Sequence, residues 1–427
     1  MTIRSHIRRG LAISIFASSA WLAQTALAET IKTDASSYIQ QNATLHNWLN
    51  KNVDNNPSVL AALSAIDSAG FQQVAASKAL YNPELELDTE SVDDVNTTTL
   101  GISQTIDWGD SRGAKSSYAN SQRLLADMAF QSTQRRIALE LLASLSELYT
   151  AEALKSLAEQ SDSLMQRFAT LAKQRFDTGD LGRVNVDLAM LSSAQARFKL
   201  ADAMSQQVRA RQNLMALTGV TNSELPKMPT HFPDPQSQSL DVDSTVQQLP
   251  QMLEATAAVQ LAQDNIKVQL GQGVAKPTVA LRAGREESAE VLGLTFSMPF
   301  QVRNTFKAEV DAANAQMIQA ERQANGVYRA LKNRYEIADA SYDLSRGAWL
   351  FWEASVANTL NEQILLLERL WKAGELNTTD YLIQLSQALE TKASAIQQRG
   401  HLWTDWSEWL IATGRIQHWL LNNAGEK

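Results

Sequence analysis

The chain contains no cysteine. That excludes disulfides and thiolate metal sites, and it leaves no thiol to carry a lipid at a processed N-terminus. Long apolar runs are equally scarce. Past residue 28 no stretch approaches the roughly 20 apolar residues of a spanning helix, so a membrane-crossing form of this chain needs strands. Histidine numbers five. His6 lies at the extreme N-terminus, and His46, His231, His401 and His418 are scattered without metal-ligand spacing. Gly109-Asp110-Ser111 has no histidine at useful spacing and reads as a turn. Gly271 and Gly273 lack the third glycine and preceding strand of a dinucleotide loop. No catalytic residue, metal site or cofactor is therefore expected, and the chain does not read as an enzyme. Positive charge is in deficit, with 38 basic against 46 acidic residues, which argues against a nucleic-acid partner.

What is present begins with a leader. Arg4, Arg8 and Arg9 make a positive start, Leu11 to Trp21 is mostly apolar, and Ala26-Leu27-Ala28 is a small-x-small cleavage signal. Residues 1–28 thus read as a secretory signal peptide. Without them the chain carries 35 basic and 46 acidic residues, a net charge of −11.

The nine prolines all avoid the long periodic segments: Pro57, Pro83, a cluster from Pro226 to Pro250, then Pro277 and Pro299. Proline breaks helices from within, so these gaps mark where long helices can run. Between Gly113 and Gly179 lie 65 residues with neither Gly nor Pro, enough for a helix of about 98 Å. Arg183 to Thr218 adds another 36. Within it Val184, Leu188, Leu191, Phe198, Val208 and Met215 stand 4, 3, 7, 10 and 7 apart, a heptad-like stripe that suits a coiled coil or bundle.

Four segments alternate with period two, the mark of strands with one apolar face. Leu85 and Leu87 alternate with acids. Leu100, Ile102 and Ile106 alternate with Thr, Gly and Ser. Val279, Leu281 and Ala283 alternate with Thr278, Arg282 and Gly284, and Leu292, Leu294, Phe296, Met298 and Phe300 with Gly293, Thr295 and Ser297. They form two pairs joined by polar turns near Asp93 to Thr97 and Glu286 to Glu290. Such pairs suit tilted membrane strands and equally two soluble hairpins covering a helix end.

The chain also repeats itself. Pro83 and Pro277 open the strand pairs. LGISQTI from Leu100 matches LGLTFSM from Leu292, and RFDTGDLGRVNVDL from Arg175 matches LWKAGELNTTDYL from Leu370. Gly179 to Gly219 and Gly374 to Gly414 both span 40 residues, and the offset between halves stays within 192 to 195. The unit strand–strand–long helix–turn–long helix therefore occurs twice. Four strands are too few for a membrane barrel, whose smallest examples use about eight, and open strand edges are not tolerated in lipid. Copies of the chain must pool their strands.

These residues resemble the TolC family of outer-membrane efflux proteins, and within it the heavy-metal (CzcC-like) branch of tripartite pumps. The motifs are LYNPELELDTE from Leu80, LGISQTIDWGDSRGAK from Leu100, FDTGDLGRVNVDLAML from Phe176 and WKAGELNTTDYLIQL from Trp371, spread over roughly Pro57 to Gly414. The resemblance implies a mainly α fold with membrane β. A homotrimer would form a 12-stranded β-barrel, four strands per protomer, continuous with a long periplasmic α-helical barrel and built from two tandem repeats. Residues 29–250 would hold the N-terminal segment and first repeat, with strands at 83–91 and 98–107, tunnel helices at 112–178 and 183–218 and an equatorial crossover at 220–250. Residues 251–427 would hold the second repeat and tail, with strands at 277–286 and 290–300 and helices at 303–373 and 376–413.

The implied function is the outer-membrane component of a tripartite efflux system in a Gram-negative bacterium. It would be a passive exit duct, surrounded by outer-membrane lipid, that docks a periplasmic membrane-fusion adaptor and an RND-type inner-membrane transporter and exports metal cations or toxic compounds. A type I secretion duct is the alternative. A non-channel coiled coil predicts no membrane strands, and an adaptor carries one helical hairpin where this chain has two.

The resemblance makes the turns at Gly179 and Gly374 the periplasmic tips. Expected adaptor contacts are Gly179, Leu181, Gly182, Arg183 and Asn185 in the first, and Gly374, Leu376, Asn377 and Thr378 in the second. Glycine there also serves plain helix capping, and a leucine there also packs locally. Asp380 is a candidate pore constriction, since three copies near an axis favour cations. A helix N-terminus favours the same carboxylate. The later position that would complete a double acidic ring is Ile383. Trp108, Phe296 and Phe300 suit an aromatic girdle or packing at the strand–helix junction. Trp403, Trp406 and Trp409, at helical spacing, suit a core.

Overall fold

The computed structural model describes residues 44–92, 95–219, 225–230, 232–235, 241–357 and 359–416. The expected leader, and Asp93 and Asp94 of the first turn, lie outside them. A helix over residues 44–54 (α1) leads into α2 (Pro57–Ser77). Asn56 caps α2 by accepting the Ser58 N–H at 2.9 Å, and Pro57 sits at N1, where its missing N–H costs nothing. Strands β1 (Glu84–Val92) and β2 (Val95–Thr105) follow. Then comes α3 (Ser111–Asp177), 67 residues long, about 100 Å from end to end. Its start is fastened by acids: Asp107 accepts the N–H groups of Ser111 and Arg112 at 3.0 and 2.8 Å, and Asp110 accepts that of Gly113 at 3.1 Å. Helix α4 (Arg183–Thr218) completes the first hairpin.

After the crossover, α5 (Val242–Gln248) and α6 (Pro250–Gln272) lead to β3 (Thr278–Glu286) and β4 (Ala289–Ser297). Helices α7 (Lys307–Ser355), α8 (Thr359–Lys372) and α9 (Thr378–Ala412) form the second hairpin. The repeat is visible in the backbone. Gly179, Gly219, Gly374 and Gly414, the paired landmarks, have φ of 87°, 67°, 79° and 70°, the left-handed region in which glycine carries no Cβ penalty.

The helices lie in two tiers. Near the sheet the order is α2, α3, α6, α7, tied by Gln73 to Asn120 (2.8 Å), Ser121 to the buried Asp264 (2.6 Å) and Asn265 to Gln316 (3.4 Å). Farther away the order is α4, α3, α9 and α7 with α8. There Arg211 pairs with Glu152 at 2.9 Å, Ser146 donates to the Gly400 carbonyl at 3.1 Å, and Arg334 grips Glu408 at 2.7 Å. The main core sits between the tiers. It joins Leu45 and Leu49 of α1, Leu141, Leu142 and Leu145 of α3, Tyr342 of α7 and Trp403, Trp406 and Trp409 of α9. The tryptophans are thus core residues. The crossover is pinned there by its prolines: the carbonyls of Pro226, Pro229 and Pro233 accept from Tyr149 (2.9 Å), Trp403 (2.9 Å) and Tyr342 (2.6 Å).

Three details depart from the sequence expectation. Both strand pairs are tighter: β2 begins at Val95 and β4 at Ala289, so the second turn is only residues 287–288. The 303–373 stretch is not one helix. It breaks after Ser355, where Ala357 reaches back to the Trp352 carbonyl (3.2 Å) and Thr359 restarts the helix by donating to Val356 through both N–H and hydroxyl (3.1 and 3.0 Å). Finally, α2 has the length and composition to cross a membrane, against the expectation that no run past residue 28 does. It lies against α3, with Gln73 bonded across.

Candidate functional site

Two regions of the molecule stand out, and the first, the sheet, exposes what an isolated soluble protein buries. Its four strands pair in the order β1-β2-β3-β4, all antiparallel. Register puts whole rungs on one face: Leu85–Ile102–Leu281–Leu294, then Leu87–Leu100–Ala283–Leu292. No helix among the described residues covers this face, and Leu292 and Leu294 are 77% and 75% exposed. The opposite face carries Glu84, Glu86, Asp88 and Glu90 from β1, Arg282 and Glu286 from β3, and Ser, Thr, Ala and Gly between them. Arg282 approaches Asp88 at 3.9 Å. The amphipathicity is inverted relative to a soluble hairpin layer. Both edge strands, β1 and β4, lack a partner among the described residues. Water does not favour such a sheet. Lipid does, once other strands cover the edges.

The second region is the far end of the helices. Each hairpin turns through the same C-cap. In the first, Gly179 N–H bonds Phe176 O at 3.0 Å and Asp180 N–H bonds Arg175 O at 2.8 Å. In the second, Gly374 N–H bonds Trp371 O at 3.1 Å and Glu375 N–H bonds Leu370 O at 3.0 Å. This paired pattern satisfies the last carbonyls of α3 and α8 and needs the left-handed residue that glycine supplies. The second-hairpin turn continues into a reciprocal cap. Asn377 Oδ1 accepts the Asp380 N–H at 2.8 Å, and Asn377 Nδ2 donates to the Asp380 carboxylate at 2.6 Å. The first turn has Gly182 at the corresponding place, with no side-chain cap.

The structure sorts the expected tip residues. Gly179, Gly182, Arg183, Gly374, Asn377 and Asp380 are exposed. Asn185, Leu181 and Leu376 are half-buried, and both leucines pack on the cluster of Leu164, Phe168, Trp371 and Tyr381. Thr378 is buried, accepting from Trp371 Nε1 at 3.3 Å. The two leucines and Thr378, expected as contacts, also pack within the turn, because each turn closes over an aromatic core. That core holds Phe168, Trp371 and Tyr381, with ring centroids 4.5 to 5.3 Å apart. Burial pushes the Tyr381 phenol well above its ordinary range.

One residue that sequence reasoning passed over joins the two tips. Arg175, near the end of α3, donates to the carbonyls of Trp371 (3.3 Å) and Lys372 (2.5 Å) at the end of α8 and stacks over the Trp371 ring at 5.1 Å. A cation on helix-terminal carbonyls is favourable. The only available signal was the mismatch between Arg175 and its repeat counterpart, Leu370. Arg175→Ala is expected to loosen the end of α8. Amide exchange from Trp371 to Glu375 should quicken about fivefold, the loss of roughly 1 kcal/mol at a half-exposed site, and Arg175→Lys should restore part of it. Unchanged exchange in Arg175→Ala would show that the tips hold together without this contact.

The helical flanks expose apolar side chains in register. On α4, Val184, Leu191, Phe198 and Val208 face outward, while the seam against α3 is Val186, Ala189, Ala196, Ala203, Ala210 and Leu214. On α7, at the opposite flank, Ile337, Leu344 and Phe351 repeat on a seven-residue spacing and, with Leu365 of α8, are likewise exposed.

Residues 48–220 match the family model described as "Outer membrane efflux protein". No curated protein matches the chain. Among solved structures, a membrane protein from Pseudomonas aeruginosa is similar with a TM-score of 0.72 at 16% identity, covering 87% of this chain and 93% of that one. The outer membrane protein VceC from Vibrio cholerae gives 0.70 at 15% identity, covering 87% and 96%. The CmeC outer membrane channel of Campylobacter jejuni gives 0.71 at 12% identity, covering 88% and 89%. The chain has the TolC-like fold, mostly long helices with a small antiparallel sheet.

Proposed function

We propose that this chain is the outer-membrane channel of a tripartite efflux system, a homotrimeric exit duct with its helical part in the periplasm. The observation that carries the reading is the inverted sheet: an exposed apolar face, a polar opposite face and two open edges on a fold otherwise built of long rods. The match of the first repeat to the efflux-protein model and the likeness to channel structures support it.

Copy number follows from the duct. Two copies would pool eight strands, and a barrel of about eight is filled by its own side chains. Three give twelve and leave a passage. The acids of β1 would then line that passage beside few basic groups, which favours cations without selecting among them. The exposed tips, with Gly179, Gly182, Arg183, Gly374 and Asn377, would receive a periplasmic adaptor, and Asp380 would ring the entrance. The energy comes from an inner-membrane transporter. Metal cations, drugs and dyes are all admissible cargo for so wide a tube.

Deleting the protein is expected to raise the susceptibility of its host to at least one of these cargo classes. The purified protein should need detergent and run as a trimer. A detergent-free monomer together with unaltered susceptibility would reject the proposal.

A further inference from the structure

The exposed apolar face is too short for a membrane. On β4 it runs from Leu292 to Phe296, about 13 Å along the strand, whereas outer-membrane barrels present an apolar band about 25 Å tall. The hairpin end cannot extend it. The next rung there is Thr89–Thr98–Arg285–Glu290, and Glu90, Glu286 and Glu287 stand close by with Asp93 and Asp94 next in sequence.

The helix end does extend it. Ile106 prolongs the ladder, its N–H bonded to Pro277 O at 2.8 Å. Beyond it Trp108, Phe300 and Val302 are exposed, the last two by 78% and 85%. Their loops are not loose. Trp108 Nε1 donates to Ala275 O at 2.6 Å, Gln301 Nε2 to Gln272 O at 3.1 Å, and Ser111 to Gly271 O at 3.2 Å. All three bonds end on residues 271–275, which hold both junction loops at one level. The charge changes sign at that level. Arg112, Arg303 and Lys307 are exposed and form no ion pair among the described residues. The nearby Asp107 and Asp110 are engaged in capping α3.

We infer that the membrane-embedded zone continues past the strands into these junction loops. Trp108, Phe300 and Val302 lie in the acyl region of the periplasm-facing leaflet, and Arg112, Arg303 and Lys307 bind the phosphates of anionic phospholipids there. The acidic hairpin ends face the opposite way. This inference rests on the outer-membrane channel reading.

The chain has no cysteine, so single substitutions can carry nitroxide labels without a background. Leu294→Cys, Val302→Cys and Glu290→Cys would be labelled in the full assembled protein in phosphatidylethanolamine–phosphatidylglycerol bilayers. Oxygen should relax the labels at 294 and 302, and an aqueous nickel chelate the one at 290. A label at 302 relaxed by nickel, or at 290 by oxygen, overturns the placement. A label at 294 relaxed by nickel overturns the channel reading itself. In the triple variant Arg112→Gln, Arg303→Gln, Lys307→Gln, the preference for spin-labelled phosphatidylglycerol over phosphatidylcholine should fall, by about fivefold for each lost headgroup contact. An unchanged preference overturns the phosphate contacts.

Discussion

Leu191→Glu with Phe198→Glu is expected to leave the protein unable to trimerise. These side chains sit on the outer flank of α4, where Phe198 is 75% exposed, and nothing among the described residues covers them. The partner face proposed is the opposite flank, with Leu344 and Phe351 of α7. Burying such a side chain contributes about 1.5–3 kcal/mol, and a glutamate in its place adds an uncompensated desolvation cost, repeated at every interface of the ring. Because the two flanks are different surfaces, the contact is heterologous and closes by rotation. Leu344→Glu with Phe351→Glu should therefore fail in the same way. Mixing the two variants should yield a heterodimer that stops there, since one intact α4 flank meets one intact α7 flank. Native mass spectrometry in detergent reads all three results. If the α7 variant trimerised normally, the flanks would not be each other's partners.

The second large effect concerns the tips. Gly179→Pro and Gly374→Pro should abolish export while trimers still form. Proline holds φ near −65°, whereas these positions need +87° and +79°. It also removes the N–H that bonds Phe176 O or Trp371 O. The local cost is about 3 kcal/mol or more, enough to unravel a turn. The sheet and the core between the tiers lie far along the helices and should not respond. Gly→Ala at the same sites tests the φ requirement alone and should be milder. Susceptibility assays, alongside trimer recovery from membranes, give the result. Full export with both prolines in place would mean that the tips are not where the partner docks.

The local rules were well exposed in the sequence. Absence of proline marked α3 and α4, because a ring without an N–H cannot sit inside a helix. Alternation marked all four strands, because pleating sends neighbours to opposite faces. The paired glycines marked the turns and fell in the left-handed region as their spacing implied. Asp380 was legible as a helix-start carboxylate, and it stands in the first turn of α9. The break after Ser355 was not, since nothing in Ser-Val-Ala-Asn-Thr forbids a helix. Nor was the bond from Arg175 to Trp371 and Lys372, which spans nearly 200 residues and depends on where two helix ends meet.

Residue type and period alone determined which segments are helix and strand, that the unit occurs twice, and that its four strands cannot close by themselves. Direction was left to the tertiary structure. The stripe of Val184, Leu191 and Phe198 looks like the seam of a hairpin, yet the seam is Ala189, Ala196, Ala203 and Ala210. Small side chains let α3 and α4 approach closely, so the large ones turn outward. A heptad states that two faces exist; only packing in three dimensions chooses which of them the chain keeps for itself and which it leaves exposed.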